Sequence, residues 1–272
     1  MKKTTFLTSV LVYAGIGVCM WTSCGQSGST ASNEAAAPSE SASAQPADQP
    51  AESPFPAVDL GLTVRWATCN VGATKPEEFG GYFAWGETKA YGEEDQTNLR
   101  NYASTDSTSY VKQNFDWPNY KYCDGKSSSL TKYCTEANKG KVDGKYTLDL
   151  ADDAAHAAMG GKWRMPTNDE LADLREKCTW TWTTLNGVTG YNVSSANGNS
   201  IFLPAAGCRS NQSRGLTADK GPKHVGGGDY WSSNISNNNR SESAYRLSFG
   251  EKVVTYTLDS RCEGASIRAV CE

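Results

Sequence analysis

The chain has 272 residues, a formal net charge of −4 and an isoelectric point of about 5.4. No stretch is strongly basic, which excludes the electrostatic footprint of a nucleic-acid-binding protein. Two histidines and no CxxC pair are too few ligands for a typical zinc site. We therefore expect no nucleic-acid partner and no zinc.

The first residues are typical of an export signal. Lys2-Lys3 precedes an apolar run from Phe6 to Met20, which is short for a membrane span and suits a secretory signal. The run ends in Trp21-Thr22-Ser23-Cys24, which resembles the lipobox of bacterial lipoproteins, with Trp21 where Leu is usual. The resemblance implies a signal peptide over residues 1–23 and lipidation of Cys24. The alternative is a plain signal peptide cut nearby, with Cys24 incidental.

Composition divides the rest of the chain in two. From Gly25 to Pro54 there is no aromatic residue and no Leu, Ile, Val or Met. Such a segment cannot bury enough apolar surface to offset its ordering entropy, so residues 24–54 are predicted to be a disordered tether. Residues 55–272 hold seven of the eight tryptophans and are predicted to form a single domain.

The domain begins with strand-like segments. Val58–Gly72 predicts two strands around a Gly turn, with Trp66 and Cys69 inward, and Gly80–Thr88 predicts a short aromatic strand. Residues 89–146 are polar and Tyr-rich, and we expect them to form an irregular loop excursion over the core.

Two helices follow the excursion. Ala151–Met159 is a helix former that ends at Gly160-Gly161. Thr167 and Glu170 form a predicted capping box, and Leu171 and Leu174 recur at helical spacing. After them, the stretches TWTWTT, SIFLPAAG, DYWSS, SAYRLSF, VVTYTL and ASIRAVC are strand-like. Helices among short antiparallel strands predict an α+β domain.

The C-terminal hairpin suggests a binding surface. Tyr245, Leu247 and Phe249 alternate with polar residues, so one face should be apolar and the other solvated. Together with the Asn-rich stretch before it, the polar face predicts one exposed patch of ligand contacts. These are Asn234, Asn237, Asn238, Asn239, Arg240, Glu242, Arg246, Ser248, Lys252, Thr255, Thr257, Asp259 and Arg261. The alternative is that this face is only the solvated side of a half-buried sheet.

Three motifs could carry chemistry, and each has a structural explanation that we favour. His156 near Asp152-Asp153 suits acid–base work, but also a helix cap beside a half-buried histidine. Cys208 and His224 could be a nucleophile and its base, although a structural disulfide is the simpler role for Cys208. Gly226–Gly228 lacks the Lys-Ser/Thr of a phosphate loop and indicates a flexible turn. No catalytic residue is predicted.

Acidic clusters and cysteines leave two further possibilities. Glu77-Glu78 and Glu93-Glu94-Asp95 could bind calcium, but lack the alternating spacing of known loops, so solvated turns and no cofactor are expected. Seven cysteines follow Cys24, and an exported chain can form disulfides, with at least one thiol left over. Cys123–Cys134 is a plausible local bridge under the excursion.

Seven ordered motifs resemble one family. VDLGLTVRWATCNVGA, GYFAWGET, DDAAHAAMGGKWRMPTNDEL, CTWTWTTLNGVTGY, GNSIFLPAAG, YWSS and SIRAVC are similar to the Fibrobacter succinogenes major paralogous domain family of Bacteroidetes. The resemblance implies a fold of the C-type-lectin and formylglycine-generating-enzyme type. It also implies an exported or lipid-anchored protein at the outer membrane, with the surface or periplasmic face left open. Because the chain ends meet in one sheet in such folds, it favours a Cys69–Cys271 disulfide.

The resemblance also bears on function. Some lipoproteins of this fold are variable proteins of diversity-generating retroelements, with Asn-rich C-terminal sites inside a fixed aromatic frame. Asn234–Glu242 between Trp231 and Tyr245 is similar. The calcium tripeptides of sugar-binding lectins are absent, and Cys262 and Cys271 do not match the redox motif of the enzymes. The chain is therefore predicted to bind a protein or glycan on another cell, a phage or the host. An envelope enzyme and a fimbria-associated subunit are the alternatives.

Overall fold

Short strands and two helices make up the computed structural model, which describes residues 56–90, 115–210 and 226–272. The helices are α1 (Ala154–Met159) and α2 (Asn168–Lys177), and short 3₁₀ turns lie at Trp117–Asn119 and Leu150–Asp152. The strands are β1 (Ala57–Val58), β2 (Arg65–Ala67), β3 (Phe83–Ala84), β4 (Thr179–Leu185), β5 (Val188–Ser194), β6 (Ser200–Pro204), β7 (Cys208–Arg209), β8 (Gly227–Ile235), β9 (Ser243–Gly250), β10 (Val253–Ser260), β11 (Gly264–Ala265) and β12 (Val270–Cys271).

Within the described ranges the strands form four three-stranded antiparallel sheets. Their orders are β1-β2-β12, β10-β9-β8, β3-β11-β7 and β4-β5-β6. The short strands β11 and β12, from the last residues of the chain, pair with β3, β7 and β2. The C-terminal strands therefore hold distant segments of the chain together. The mixture of helices and antiparallel sheets confirms the predicted α+β class.

Local signals located α2 correctly and the end of α1, but α1 begins at Ala154 and not at Ala151, because Leu150–Asp152 form a 3₁₀ turn. The Thr167 side chain accepts a hydrogen bond from the Glu170 N–H, and the Glu170 carboxylate accepts one from the Thr167 N–H, as the capping box predicts. Helix α1 ends at Gly160, where φ is +67°. Strand β5 was not predicted, although Asn186 and Gly187 have the positive φ angles that a two-residue hairpin requires.

The predicted loop excursion is part of the core. In the described part, 115–146, the chain is irregular as expected. However, Phe115, Tyr120, Tyr122 and Tyr133 are each at most 5% exposed. These rings meet edge to face, for example Tyr122 and Tyr133 with centroids 5.6 Å apart. The prediction that this segment lies over the core was wrong, because its tyrosines build one side of that core.

The C-terminal hairpin buries both faces of β8 and β9. Tyr230, Leu247 and Phe249 pack in one apolar cluster, as the alternation predicts. Trp231, on the other face, is fully buried in a second cluster, and its indole N–H donates to the Phe83 carbonyl. The expectation of a solvated second face is therefore wrong along β9. Only the edge strand β10 is partly exposed over most of its length.

The predictions for the N-terminal segment lie outside the described residues. These are the signal peptide, the lipidation site Cys24 and the tether. In the part that the structure describes, no helix is long and apolar enough to cross a membrane.

Candidate functional site

The loop between β8 and β9 carries the longest exposed part of the predicted patch. We call residues 236–242 the tip. Asn237, Asn238, Asn239 and Arg240 are all exposed. The tip is nonetheless ordered by short-range bonds: the Asn238 N–H donates to Ser236 Oγ at 3.2 Å, and Asn237 Oδ1 accepts from the Tyr245 hydroxyl at 2.6 Å. Asn239 adopts a φ of +52°, which Asn tolerates better than most side chains.

Both ends of the tip are held by side chains. Asn234 donates to Thr147 Oγ1 at 2.8 Å and accepts from the Asn168 N–H at the start of α2, also at 2.8 Å. At the other end, the N–H and hydroxyl of Ser241 both donate to Glu136 Oε1, at 2.7 and 2.8 Å. The Asn234 amide is therefore occupied by internal bonds, and its predicted role as a ligand contact is corrected to that of an anchor.

The segment that receives these anchors, residues 130–149, is itself folded around one carboxylate. Asp143 accepts hydrogen bonds from the N–H groups of Tyr133, Cys134 and Lys145. Burial opposes the charged form, but these bonds outweigh it and keep the pKa of Asp143 below its usual value. Gly140 passes so close to Leu130 that an added Cβ would lie 2.1 Å from the Leu130 carbonyl oxygen. Sequence reasoning missed this supporting segment, whose apolar residues, such as Leu130 and Tyr133, are scattered among polar ones and give no periodic signal.

The segment that anchors the tip also carries exposed apolar side chains. Val142 is 51% exposed and Tyr146 is 46% exposed. Tyr146 lies next to the base of the tip, since its backbone carbonyl accepts a hydrogen bond from the Ile235 N–H at 2.9 Å. We call the exposed tip residues together with Lys141, Val142 and Tyr146 the tip surface. Apolar and aromatic side chains of this kind are common at recognition sites.

Most charges around the tip surface are already paired. Lys139 and Glu242 form an ion pair at 3.1 Å, and Lys145 pairs with Asp149 at 2.7 Å. Glu242, a predicted ligand contact, is thus partly used within the chain. Lys141 and Arg240 remain exposed, and neither pairs with an acidic group of the described ranges. The tip surface therefore offers two cations beside apolar groups.

Arg261 is a core residue and not part of any exposed surface. It is 0% exposed, and its guanidinium donates to the carbonyls of Lys132, Tyr133 and Ser241 at 2.8 to 3.0 Å. It also lies over the Trp85 ring, 5.0 Å from the centroid. The prediction that Arg261 contacts a ligand was wrong, because its guanidinium is buried and binds the backbone carbonyls at the base of the tip.

Arg246 is also buried, at 2% exposure. Its guanidinium forms ion pairs with Asp229 and Asp259 and lies 3.7 Å from Glu263. Burial opposes its charge, but these carboxylates raise the pKa of Arg246 above its ordinary value. The prediction of an exposed contact was wrong here too, since Glu263, just before β11, and the Trp231 ring of the neighbouring strand β8 lie against the guanidinium.

The remaining predicted contacts on β9 and β10 join the same network or lie near its edge. Ser248 donates to Asp229 and lies 3.0 Å from the Thr257 hydroxyl. Thr255, Thr257 and Asp259 are half-buried, and Lys252 is exposed in the turn before β10. The thirteen predicted residues therefore fall into three groups: five exposed residues at the tip and at Lys252, six partly buried residues, and two buried arginines.

The candidate catalytic groups are engaged in structural roles. The Asp153 carboxylate accepts from the backbone N–H groups of His156 and Met165, which caps α1. The His156 ring lies 3.1 Å from the Trp163 carbonyl, and Asp152 binds Lys132 at 2.6 Å. His224 lies outside the described residues. Gly227 and Gly228 are buried in β8, so the predicted flexible turn is limited to Gly226.

Neither predicted disulfide is formed, since Cys69, Cys271, Cys123 and Cys134 all keep free thiols. The β2–β12 pairing brings the two ends of the domain together as expected, but its register places Arg65 opposite Cys271. The thiols of Cys123 and Cys134 each donate to a nearby backbone carbonyl, of Trp117 and Glu136, both at 3.1 Å.

Both glutamates of the acidic cluster in the described ranges bind groups of the chain itself. Glu77 accepts from Asn186, and Glu78 accepts from the backbone and hydroxyl of Thr74. Glu93-Glu94-Asp95 lies outside the described residues. Among those described, no group of three or more His, Cys, Asp or Glu is arranged to hold a metal ion.

Comparisons of the chain with models of protein families, with curated proteins and with solved structures found no match. The function of the tip surface is therefore inferred from its own geometry and from the motifs of the sequence.

Proposed function

We propose that the chain is an exported, lipid-anchored protein that recognises another macromolecule through the tip surface. One observation carries the proposal: four consecutive exposed polar residues, Asn237 to Arg240, stand on a base fixed by buried side chains. Loops on a rigid scaffold can change without disturbing the core, which suits recognition. Asn supplies adaptable hydrogen bonds, whereas Arg and Tyr supply contacts that often dominate interface energy.

The finer description of the protein rests on its motifs. We assign Cys24 as the lipidated residue and residues 24–54 as the tether that holds the domain away from an outer membrane. We assign the domain to a C-type-lectin-like scaffold and the tip to the class of sites that a diversity-generating retroelement rewrites. The tip suits that class because its exposed side chains make few internal bonds, whereas its anchors, such as Ser241, lie at its ends.

The proposed ligand is a protein or glycan on another cell, a phage or the host. The polar tip suits either, and Val142 with Tyr146 adds apolar area that a purely ionic site would lack. Since Lys141 and Arg240 have no acidic partner in the described part, ligands with carboxylate groups on their surface should bind best.

The binding test uses the full-length chain in detergent against a glycan array and a panel of bacterial cells and phages. A tip variant replaces Asn237, Asn238 and Arg240 with Ser and Asn239 with Gly, which preserves the positive φ. A matched control replaces four exposed residues elsewhere with Ala: Lys126, Ser128, Lys162 and Glu176. We expect a binding partner that the tip variant loses and the control keeps, with both unfolding like the wild type. Binding that survives the tip change, or no binding to any probe, would contradict the proposal.

The anchor is tested separately. Growth with an alkyne-labelled fatty acid should label the wild-type chain, and Cys24→Ala should lose the label. Equal labelling of both proteins would exclude lipidation at Cys24 without bearing on the tip.

A further inference from the structure

Strand β4 is an edge strand with an unusual sequence, Thr-Trp-Thr-Trp-Thr-Thr-Leu. It pairs with β5 over all seven residues without a register shift, and no other strand of the described ranges pairs with it. Thr179, Thr181 and Thr183 are exposed on one face, whereas Trp180 and Trp182 pack partly buried on the other. This strand is regularly paired on one side, and within the described ranges no backbone group bonds to its outer edge.

The turn after β4 determines which backbone groups point outward. Asn186-Gly187 forms a two-residue hairpin turn with Leu185 opposite Val188. Residues that flank such a turn exchange both of their hydrogen bonds, and the direction alternates along the strand. The Thr179, Thr181 and Thr183 backbones therefore face β5. Trp180, Trp182 and Thr184 direct their N–H and C=O groups away from the sheet.

Native edge strands usually carry features that prevent pairing with another chain, such as charges, Pro or a bulge. Strand β4 has none of these. The other long edge strands, β8 and β10, are different. The outer N–H groups of β8 donate to carbonyls of other segments, for example Trp231 to Ser266 at 3.0 Å. On β10, Arg175 donates to the Val254 carbonyl at 3.0 Å, and Asp259 places a charge on the strand. The open edge of β4 is therefore a specific feature of this strand and not of every edge in the domain.

The sequence of β4 is complementary to itself. When two copies run antiparallel about Thr181, each Trp180 lies opposite a Trp182, and each Thr179 lies opposite a Thr183. The outward-facing residues Trp180 and Trp182 would then form the hydrogen-bonded pairs, and Thr181 would face its own copy in the closer, non-bonded position. Aromatic and Thr–Thr cross-strand pairs are favourable, and no like charges oppose each other.

We propose that β4 pairs with β4 of a second copy of this chain, which joins two three-stranded sheets into one six-stranded sheet. The strand is about 24 Å long at ~3.4 Å per residue, and its contact is smaller than the interface of a typical stable dimer. The association is accordingly weak and concentration-dependent in solution. It uses a part of the domain different from the tip surface and does not depend on the function proposed there.

The test is sedimentation velocity of the full-length chain in detergent, from micromolar to about 0.5 mM. Thr181 is exposed, so Thr181→Lys and Thr181→Glu should fold normally while each places like charges opposite one another in the dimer. We expect each variant alone to weaken dimerisation at least about tenfold, and an equal mixture of the two to recover it. Thr189→Lys, on an exposed position of the central strand β5, is the matched control and should dimerise like the wild type.

Three outcomes would overturn the pairing. They are a wild-type chain that stays monomeric at the highest concentration, a Thr181→Lys variant that dimerises as well as the wild type, and a mixture that fails to recover. Loss of dimers in Thr189→Lys to the same extent would also contradict it, because the effect would then come from added charge and not from the β4 edge.

Discussion

Replacement of Arg261 with Met should destabilise the domain as severely as a large core truncation. The guanidinium is fully buried and donates to three backbone carbonyls and to the Tyr120 hydroxyl. Met fills a similar volume but donates nothing. The carbonyls of Lys132, Tyr133 and Ser241 would lose a donor in places that water reaches poorly.

The magnitude follows from two opposing effects. Each buried acceptor left without a donor costs about 1–3 kcal/mol, and three carbonyls lose one here. Removal of a buried cation returns part of that cost, since its desolvation penalty disappears. We expect a net loss of about 3–5 kcal/mol in the free energy of unfolding, a large share of the roughly 5–15 kcal/mol typical of a domain.

Urea unfolding followed by tryptophan fluorescence measures this loss, with Arg240→Met as the matched control. Arg240 is exposed and unpaired in the described part, so its replacement should change stability by less than about 0.5 kcal/mol. Both arginines look alike in the sequence, as polar residues near the C-terminal hairpin. An Arg261→Met variant within 1 kcal/mol of the wild type, or equal losses for the two variants, would refute the assignment of Arg261 as the support of the tip.

Two further changes test other parts of the structure. Gly228→Ala should cost about 1–3 kcal/mol in urea unfolding, because its Cβ would lie 2.2 Å from the Phe249 ring. Gly250→Ala, which meets nothing within 4 Å, should be nearly neutral, and equal costs would contradict the packing. Asp152→Asn should cost about 1.5–3 kcal/mol at pH 7, since Lys132 and Tyr133 both donate to this carboxylate. Burial opposes the charge of Asp152, but those bonds hold its pKa well below the usual range. The stabilisation is therefore present above the unfolded pKa of about 3.9 and is lost as pH falls below it. Between pH 6 and pH 3 the wild type should lose more stability than Asp152→Asn, and parallel pH profiles would contradict this origin.

Features with a complete local cause could be predicted from the sequence. The capping box of Thr167 and Glu170 and the end of α1 at Gly160 each depend on a few neighbouring residues. Alternation along β9 also gave the right partition, with Leu247 and Phe249 on one face and Arg246 on the other. Strand β5 could have been found in the same way from Asn186-Gly187, which is a strong hairpin signal.

What covers each face could not be predicted, because the cover comes from distant parts of the chain. Alternation states which residues share a face, but not whether water or protein lies over it. Trp231 is covered by Phe83, which is 148 residues away, and two of the three carbonyl oxygens that bind Arg261 belong to residues 128 and 129 positions earlier. Polar residues with such partners look the same in the sequence as solvated ones, so both buried arginines were assigned to the surface.

The difference between Arg240 and Arg261 also bears on why the tip suits recognition. Most side-chain bonds that hold the loop involve residues outside its exposed stretch: Asn234 before it, Ser241 after it, and Arg261 beneath the Ser241 carbonyl. Among the exposed side chains of the stretch, the described residues show one such bond, which Asn237 accepts from the Tyr245 hydroxyl. Changes among the exposed residues therefore alter the chemistry that faces a ligand while the base keeps its geometry. A loop anchored within its exposed stretch could not vary in this way, because each new ligand contact would cost a bond that folds the loop.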